Sequence, residues 1–401
     1  GELAKSQEVF DKLPNRDVIS WNTLIAGYVQ NGWSQKALLF LEQMQHSGLS
    51  PNVVTYLSVL KACGKMRDFE KGREIHDIVS REGLLENNTL IGNALVDMYA
   101  KCGQVGKAQE VFDNLPVQNL VSWNSLIGGY SQRGCGESTF NSFEEMQLCG
   151  PPADGITLVL ILKVCSSIGS LEMGQDIHAQ IMQGEFLSKD IVVGNALMDM
   201  YAKCGQISKA QEVFDILPIQ DLVSWNVLIS GYAQYGSSET ALNCFEQMQV
   251  AGFSPNVITY LSSLQACTSI GDLKKGQELH DQISRNGALA KDVSIGNALL
   301  DMYAKCDTLA KAQDTFDHLS LHNIISWNTL IAMYSEEGLG EKSLDCLEQM
   351  QLEGFSPNAL TFTFILKACG NMNAAAKGHE IHAKMVKTGF LDENLMVGDA
   401  L

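Results

Sequence analysis

The chain has 401 residues, of which 45% are hydrophobic and 18% charged, so it can bury a full core and its composition excludes intrinsic disorder. No stretch of about 18 apolar residues occurs and no signal peptide begins the chain, so we expect no membrane partner. The formal net charge of −18 argues against non-specific nucleic-acid binding, because that affinity comes from basic side chains that neutralise phosphates.

One short stretch recurs along the chain at a fixed interval. SWNTLI begins at Ser20 and returns, with at most one change, at Ser122, Ser224 and Ser326, which is a spacing of 102 residues each time. Equal intervals indicate an array of one structural unit whose neighbouring copies bury surface against each other. We therefore expect residues 1–401 to form a single solenoid, cut from a longer array.

Each period of 102 residues divides into segments of 35, 36 and 31 residues. In the first period, 18–119, the segments are 18–52, 53–88 and 89–119. The later periods are 120–221, 222–323 and a truncated one at 324–401, while residues 1–17 match the second half of a 31-residue segment. This division predicts eleven complete helical hairpins.

Each segment has the apolar spacing of two helices. Trp21, Leu24, Ile25 and Tyr28 fall at i, i+3, i+4 and i+7, and Gly32 follows as a stop. Similar stripes follow in the first period: Ala37, Leu38, Leu41 and Met44; Tyr56, Val59, Leu60 and Cys63; Phe69, Ile75 and Val79; Leu95, Met98 and Tyr99; Val105, Ala108, Val111 and Phe112. Short turns predict antiparallel hairpins, and their stacking predicts an all-α solenoid with the first helices on the concave side.

Cysteine and histidine also recur with the period. Seven of the eleven cysteines keep the 102-residue spacing: Cys63, Cys165, Cys267, Cys369, Cys102, Cys204 and Cys306. We predict packed, free thiols. His76, His178, His280 and His382 each lie 13 residues after a cysteine. Tetrahedral zinc needs four ligands and each unit supplies two without a CxxC, so we predict no metal site and place these histidines in packing within the 36-residue hairpin.

Two stretches of the sequence resemble a known repeat family. VISWNTLIAGYVQNGWSQKALLFLEQMQHSGLSPN and IGNALVDMYAKCGQVGKAQEVFDNLP resemble pentatricopeptide repeats, and the 35, 36, 31 order resembles the P, L and S repeats of the PLS subclass. The resemblance implies a right-handed α-solenoid superhelix that binds single-stranded RNA, one base per repeat. It also implies a role in selecting sites for C-to-U editing of plant mitochondrial or chloroplast transcripts, with a deaminase supplied in cis or in trans.

In that family the fifth and last residues of a repeat select the base, and the second residue packs against it. The resemblance gives these P pairs: Asn22 with Asn52, Asn124 with Asp154, Asn226 with Asn256, and Asn328 with Asn358. It gives these S pairs: Asn93 with Asn119, Asn195 with Asp221, and Asn297 with Asn323. The second residues are Ile19, Leu90, Val121, Val192, Val223 and Ile325, and Ser294 breaks the apolar pattern.

The chemistry of Asn and Asp suits such a role. Uracil N3 carries a proton and cytosine N3 does not, so acceptor-only Asp should favour U and Asn, which can donate, should favour C. The pairs then predict C, C, U, U, C, C, C in chain order. The alternative is that the fifth-position asparagines are helix caps or hydrogen-bonded interior amides. Capping does not explain why the distant last residue is always Asn or Asp.

The L segments depart from this rule. Their pairs are Leu57 with Asn88, Val159 with Asp190, Leu261 with Asp292, and Thr363 with Asn394. Leu and Val cannot hydrogen-bond a base, so three L repeats should accept any nucleotide, while the Thr and Asn pair resembles an A-selecting one. The predicted target, 5′ to 3′, is C, any, C, U, any, U, C, any, C, C, A. Asp399 holds the fifth position of the truncated last unit.

Three lysines are candidate phosphate contacts. Lys101, Lys203 and Lys305, each in YAKC, lie along the first helix of the S segments, where the alternative is a solvated surface lysine.

The motifs also limit the classes of function. A zinc deaminase needs HxE and PCxxC, and neither is present, so we predict a non-enzyme without a cofactor. One alternative is a protein-binding scaffold like tetratricopeptide arrays, whose repeat of about 34 residues equals the mean of 35, 36 and 31. The acidic charge favours that alternative. Another is an assembly platform, because the family's L motifs dock proteins of the multiple organellar RNA-editing factor type.

Overall fold

The computed structural model describes residues 2–287, 292–306, 308–319 and 321–387, and this part of the chain forms helices without strands. The chain separates into two compact units. The first comprises residues 1–204 and 215–219, and the second residues 205–214 and 220–401. The sequence predicted the all-α class, and the structure confirms it.

In the first unit, the first helices of consecutive hairpins stack in one layer, and the second helices of the hairpins lie beside them. The first helices pack in the order α2, α4, α7, α9, α11 and α14. The helices are α1 (Glu2–Asp11), α2 (Val18–Gln30), α3 (Ser34–His46), α4 (Val53–Met66), α5 (Phe69–Arg81), α6 (Leu84–Asn87), α7 (Thr89–Lys101), α8 (Val105–Asp113), α9 (Leu120–Gln132), α10 (Gly136–Cys149), α11 (Gly155–Ile168), α12 (Leu171–Gln183), α13 (Phe186–Lys189) and α14 (Ile191–Lys203).

The second unit repeats the plan, with first helices packed in the order α16, α18, α20, α22 and α24. After α15 (Ile207–Ile216), which spans the division along the chain, its helices are α16 (Leu222–Tyr235), α17 (Ser238–Val250), α18 (Val257–Ile270), α19 (Leu273–Arg285), α20 (Val293–Lys305), α21 (Leu309–Asp317), α22 (Ile324–Glu336), α23 (Gly340–Leu352), α24 (Ala359–Asn371) and α25 (Ala375–Lys387).

The apolar stripes form the core as expected. Trp21, Leu24, Ile25 and Tyr28 are buried in α2, and their partners on α3 are buried too. Each SWN tryptophan packs edge-on against a phenylalanine of the preceding hairpin, as Trp123 does on Phe112 with ring centroids 4.5 Å apart. Hairpins are therefore joined by aromatic contacts as well as by aliphatic burial.

The L hairpins contain one element that the sequence pattern did not indicate. The one-turn helices α6 and α13 follow α5 and α12, where two helices per segment were expected. Gly83 and Glu185 precede them with φ of 66° and 56°, a left-handed conformation that ends the long helix and redirects the chain.

The recurring histidines bridge hairpins, so their predicted placement within one L hairpin is incomplete. His76, His178 and His280 each pair through Nδ1 with a tyrosine hydroxyl of the following S repeat, at 2.8 Å in all three cases. The tyrosines are Tyr99, Tyr201 and Tyr303. Burial lowers the pKa of His76 and His280, which keeps these bridges neutral.

The cysteines are free thiols, as predicted. Burial raises the pKa of Cys63, Cys165 and Cys267 to about 12, so these sulfurs act as apolar core groups. Across the described ranges, no cluster of His, Cys, Asp or Glu has metal-binding geometry. Nor does any described helix have the length and apolarity needed to cross a membrane.

Candidate nucleic-acid interface

The last residue of each repeat caps the first helix of the next. Asn52 Oδ1 accepts the backbone N–H of Thr55 at 3.2 Å, and Asn256 Oδ1 accepts that of Thr259 at 3.0 Å. Asn88, Asn119, Asp154, Asp190, Asp221, Asp292, Asn323 and Asn358 hold equivalent cap positions. The sequence argument that capping does not explain the last residue is wrong, because that residue immediately precedes a helix and Asn or Asp is preferred there.

The fifth-position asparagines reach these caps. Asn22 Nδ2 donates to Asn52 Oδ1 at 3.0 Å across 30 residues of sequence. The same bond joins Asn124 with Asp154 (3.1 Å), Asn226 with Asn256 (3.3 Å), Asn328 with Asn358 (3.1 Å), Asn93 with Asn119 (3.1 Å) and Asn297 with Asn323 (3.5 Å). Six of the seven predicted pairs are thus in direct contact. The remaining two residues, Asn195 and Asp221, belong to different units.

These bonds determine which atom of the pair is left for a ligand. In Asn256 and in Asp154, the cap uses its Oδ1 for the backbone N–H and for the asparagine amide, and its second terminal atom has no hydrogen-bond partner in the described part of the chain. In Asn256 that atom is Nδ2, a donor, and in Asp154 it is Oδ2, an acceptor. The two kinds of cap therefore differ in one atom with opposite hydrogen-bonding character.

Asp154 is held in its ionised form. Burial alone would raise the pKa of its carboxyl, but hydrogen bonds from the Thr157 N–H, the Asn124 amide and the Thr157 hydroxyl outweigh burial and lower the pKa. The carboxylate therefore accepts only. A ligand at this repeat must bring a donor, such as the N3–H of uracil.

Within each unit, the second residues form a row of exposed aliphatic side chains. The six predicted ones are 53% to 74% exposed, although they are large and apolar. The L repeats add four more that the sequence reasoning missed: Val54, Ile156, Ile258 and Leu360, at least half exposed. They occupy the second position of their repeats, as the six predicted residues do, and this shared position could have identified them. Ser294 differs because its hydroxyl donates to Asp292 Oδ1 at 2.6 Å and completes a cap instead.

A cleft in the second unit shows how two second residues and one pair lie together. Its volume is about 590 Å³, and Ile325 and Leu360 line it as second residues of consecutive repeats. Asn328 and Asn358 line the same cleft, and so does Lys305. The cleft therefore brings two aliphatic side chains and one amide pair together.

The three candidate lysines are paired within their own helices. Lys101 Nζ lies 2.6 Å from Asp97, Lys203 2.8 Å from Asp199 and Lys305 3.0 Å from Asp301. Each pair is partly exposed, so it contributes little to stability and can open. Each carboxylate partly neutralises the positive charge of its lysine. The lysine therefore attracts a phosphate less strongly than an unpaired lysine would.

The fifth residues of the L repeats follow a different pattern. Leu57, Val159 and Leu261 are half-buried and present no hydrogen-bonding group. The hydroxyl of Thr363 donates to the Ala359 carbonyl at 2.9 Å, within its own helix. Its predicted partner Asn394 and the fifth-position Asp399 lie outside the described residues.

Family models match more than half of the chain. A model described as the PPR repeat family matches residues 16–65, 220–287 and 322–371. A model described as the PPR repeat matches residues 54–84, 93–119, 121–151 and 195–218. These matches include the fifth-position asparagine of five of the six pairs in contact, and Asn297 lies outside them.

Curated relatives in Arabidopsis thaliana match nearly the whole chain. Pentatricopeptide repeat-containing protein At4g18520, chloroplastic, is 35% identical over 373 residues, which cover 93% of this chain and 60% of that protein. Pentatricopeptide repeat-containing protein At3g09040, mitochondrial, is 33% identical over 383 residues, which cover 95% of this chain and 37% of that protein. The chain thus spans roughly half the length of the curated relatives that it matches.

Solved structures share the fold. The crystal structure of pentatricopeptide repeat protein PPR10 from maize has a TM-score of 0.68 over 97% of this chain and 61% of its own, with 22% identity. PPR10 in complex with an 18-nt psaJ RNA element has a TM-score of 0.68 over 97% of this chain and 62% of its own, with 18% identity. Family models, relatives and fold agree, and the chain belongs to the pentatricopeptide repeat family.

Proposed function

We propose that this chain binds single-stranded RNA in a sequence-specific manner, with one base at each repeat. The observation that carries the proposal is the shared geometry of the fifth and last residues. In each pair in contact, the cap keeps one oxygen inward and leaves one donor or one acceptor for a ligand. A structural cap needs no such pairing with a distant asparagine amide.

The exposed aliphatic row supports the same function. Flat bases gain from stacking on side chains, at about 1–3 kcal/mol per base for aromatic residues and less for aliphatic ones. Here each base would lie between the second residues of two consecutive repeats, including those of the L repeats. The structure of PPR10 in complex with an 18-nt psaJ RNA element supports RNA as a ligand of this fold.

The wider role follows from the repeat order. The P, L and S lengths support the PLS subclass and hence site recognition in C-to-U editing, with the chemistry supplied by a deaminase outside residues 1–401. The chloroplastic and mitochondrial relatives support an organellar location. Three L repeats have Leu57, Val159 and Leu261 as fifth residues that cannot read a base, and these repeats would dock proteins of the multiple organellar RNA-editing factor type.

Fluorescence anisotropy with labelled 11-nt RNAs tests RNA binding. We expect the predicted pyrimidine-rich RNA, numbered 1–11 from the base facing Asn22, to bind at least tenfold more tightly than a purine-rich RNA of equal length. A factor of ten corresponds to about 1.4 kcal/mol, or one or two hydrogen bonds. Equal or absent binding would instead favour the protein-binding scaffold that the net charge of −18 suits.

A further inference from the structure

A threonine follows each P repeat in contact with the fifth-position asparagine. Thr55, Thr157, Thr259 and Thr361 are fully buried. In all four places the hydroxyl donates to Oδ1 of the asparagine, at 2.6 Å each time. The asparagine amide is therefore held at both ends: its Nδ2 by the cap and its Oδ1 by the threonine.

The S repeats of Asn93 and Asn297 lack this second bond among the described residues. A serine occupies the equivalent position after them, and the hydroxyls of Ser122 and Ser326 donate to the backbone carbonyls of Asn119 and Asn323 at 2.8 Å. Among the described residues, Oδ1 of Asn93 and of Asn297 is buried and has no hydrogen-bond partner. In these two S repeats, the amide of the fifth-position asparagine is thus held at its Nδ2 end only.

This difference changes how firmly the amide is oriented. The terminal torsion of asparagine is broad, so a single hydrogen bond leaves the amide free to rotate about it. Two bonds, one donated and one accepted, define both the rotation and which end carries the nitrogen. Threonine suits the task because its branched side chain restricts χ1 and directs the hydroxyl.

We propose that the threonine three residues after the end of each P repeat is a positioning residue for base selection. This inference rests on the proposed function. Its hydroxyl fixes the amide of the fifth-position asparagine, which in turn orients the cap atom that faces the base. P repeats then discriminate between bases more strongly than S repeats that carry the same pair of asparagines. The identity of the residue three positions after the cap, threonine or serine, tunes the fidelity of each position.

Substitutions at Thr259 test this at nucleotide 7, which faces Asn226 and Asn256. Thr259→Val removes the hydroxyl and keeps the shape, whereas Thr259→Ser keeps the hydroxyl. We expect the valine variant to lose about three- to tenfold of the preference for C over U at nucleotide 7, as loss of one hydrogen bond implies. Because serine at the equivalent position of the S repeats turns its hydroxyl to the backbone carbonyl, the serine variant should fall between the unsubstituted chain and the valine variant. Selection at nucleotide 10 should not change in either variant.

Ser326→Ala is the matched control. Both hydroxyls accept the backbone N–H of the cap, at 3.1 Å for Thr259 and 2.8 Å for Ser326, so both changes weaken a cap. The alanine variant should leave selection at nucleotide 9 unchanged. Retained selection in Thr259→Val, or equal loss in Ser326→Ala, would show that the threonine acts only as a cap.

The unsubstituted chain gives a second measurement that does not depend on folding of a variant. A C-to-U change in the RNA at nucleotide 7, opposite a P repeat, should weaken binding more than the same change at nucleotide 9, opposite an S repeat. Equal penalties at the two positions would overturn the role of the threonine while leaving RNA binding intact. If neither RNA change matters, the proposed function itself fails.

Discussion

Trp123→Ala should lower the free energy of unfolding of the first unit by about 3–5 kcal/mol, the usual cost of removing a large aromatic side chain from a core. Trp123 has 0% exposure and packs edge-on against Phe112 at 4.5 Å. The change opens a cavity and breaks the aromatic contact between consecutive hairpins. Urea unfolding followed by circular dichroism measures the loss.

Trp123→Phe separates ring packing from hydrogen bonding. The Nε1 of Trp123 is buried without a hydrogen-bond partner among the described residues, so phenylalanine removes an unsatisfied donor and no bond. The phenylalanine variant should therefore lose less than half of what the alanine variant loses. Similar losses in both variants would mean that the indole contributes through an interaction other than ring packing.

Truncating the two aliphatic walls of the cleft should weaken RNA binding without destabilising the protein. Ile325→Ala combined with Leu360→Ala removes both second residues that would flank nucleotide 10. With about 1 kcal/mol per aliphatic contact, the affinity should fall roughly 10- to 30-fold. The unfolding midpoint should stay constant because both side chains are at least half exposed.

Leu352→Ala is the matched control for surface apolarity. Leu352 is 86% exposed at the end of α23 and does not line the cleft. This variant should bind RNA like the unsubstituted chain. An equal loss of affinity in Leu352→Ala, or no loss in the double variant, would contradict base packing between second residues.

The core and the helix starts followed from the sequence because both depend on local rules. The stripe of Trp21, Leu24, Ile25 and Tyr28 is buried as its spacing predicted. The six pairs of fifth and last residues in contact lie 26 or 30 residues apart, because the exact repeat fixes which hairpins are neighbours. Their role in base selection stays a prediction.

Several of the interactions that sequence reasoning missed lie between hairpins. The bond from His76 to Tyr99 joins an L to an S repeat, and an apolar stripe does not show which polar atoms meet across such a junction. The pairing of Lys101 with Asp97 could have been predicted, since i and i+4 share a helix face. The bond from Thr55 to Asn22 could not, because a threonine and a serine at that position look equivalent until their rotamers are known.

The central claim is that the outward atom of the cap selects the base, and Asn256→Asp tests it most directly. Asp keeps the capping oxygen, so folding should be unaffected, and it replaces the Nδ2 donor by an acceptor. Binding of the 11-nt RNA with C or U at nucleotide 7 should show preference for C in the unsubstituted chain and for U in the variant. Asp154→Asn should produce the opposite exchange at nucleotide 4. Unchanged preferences at both nucleotides would contradict the account.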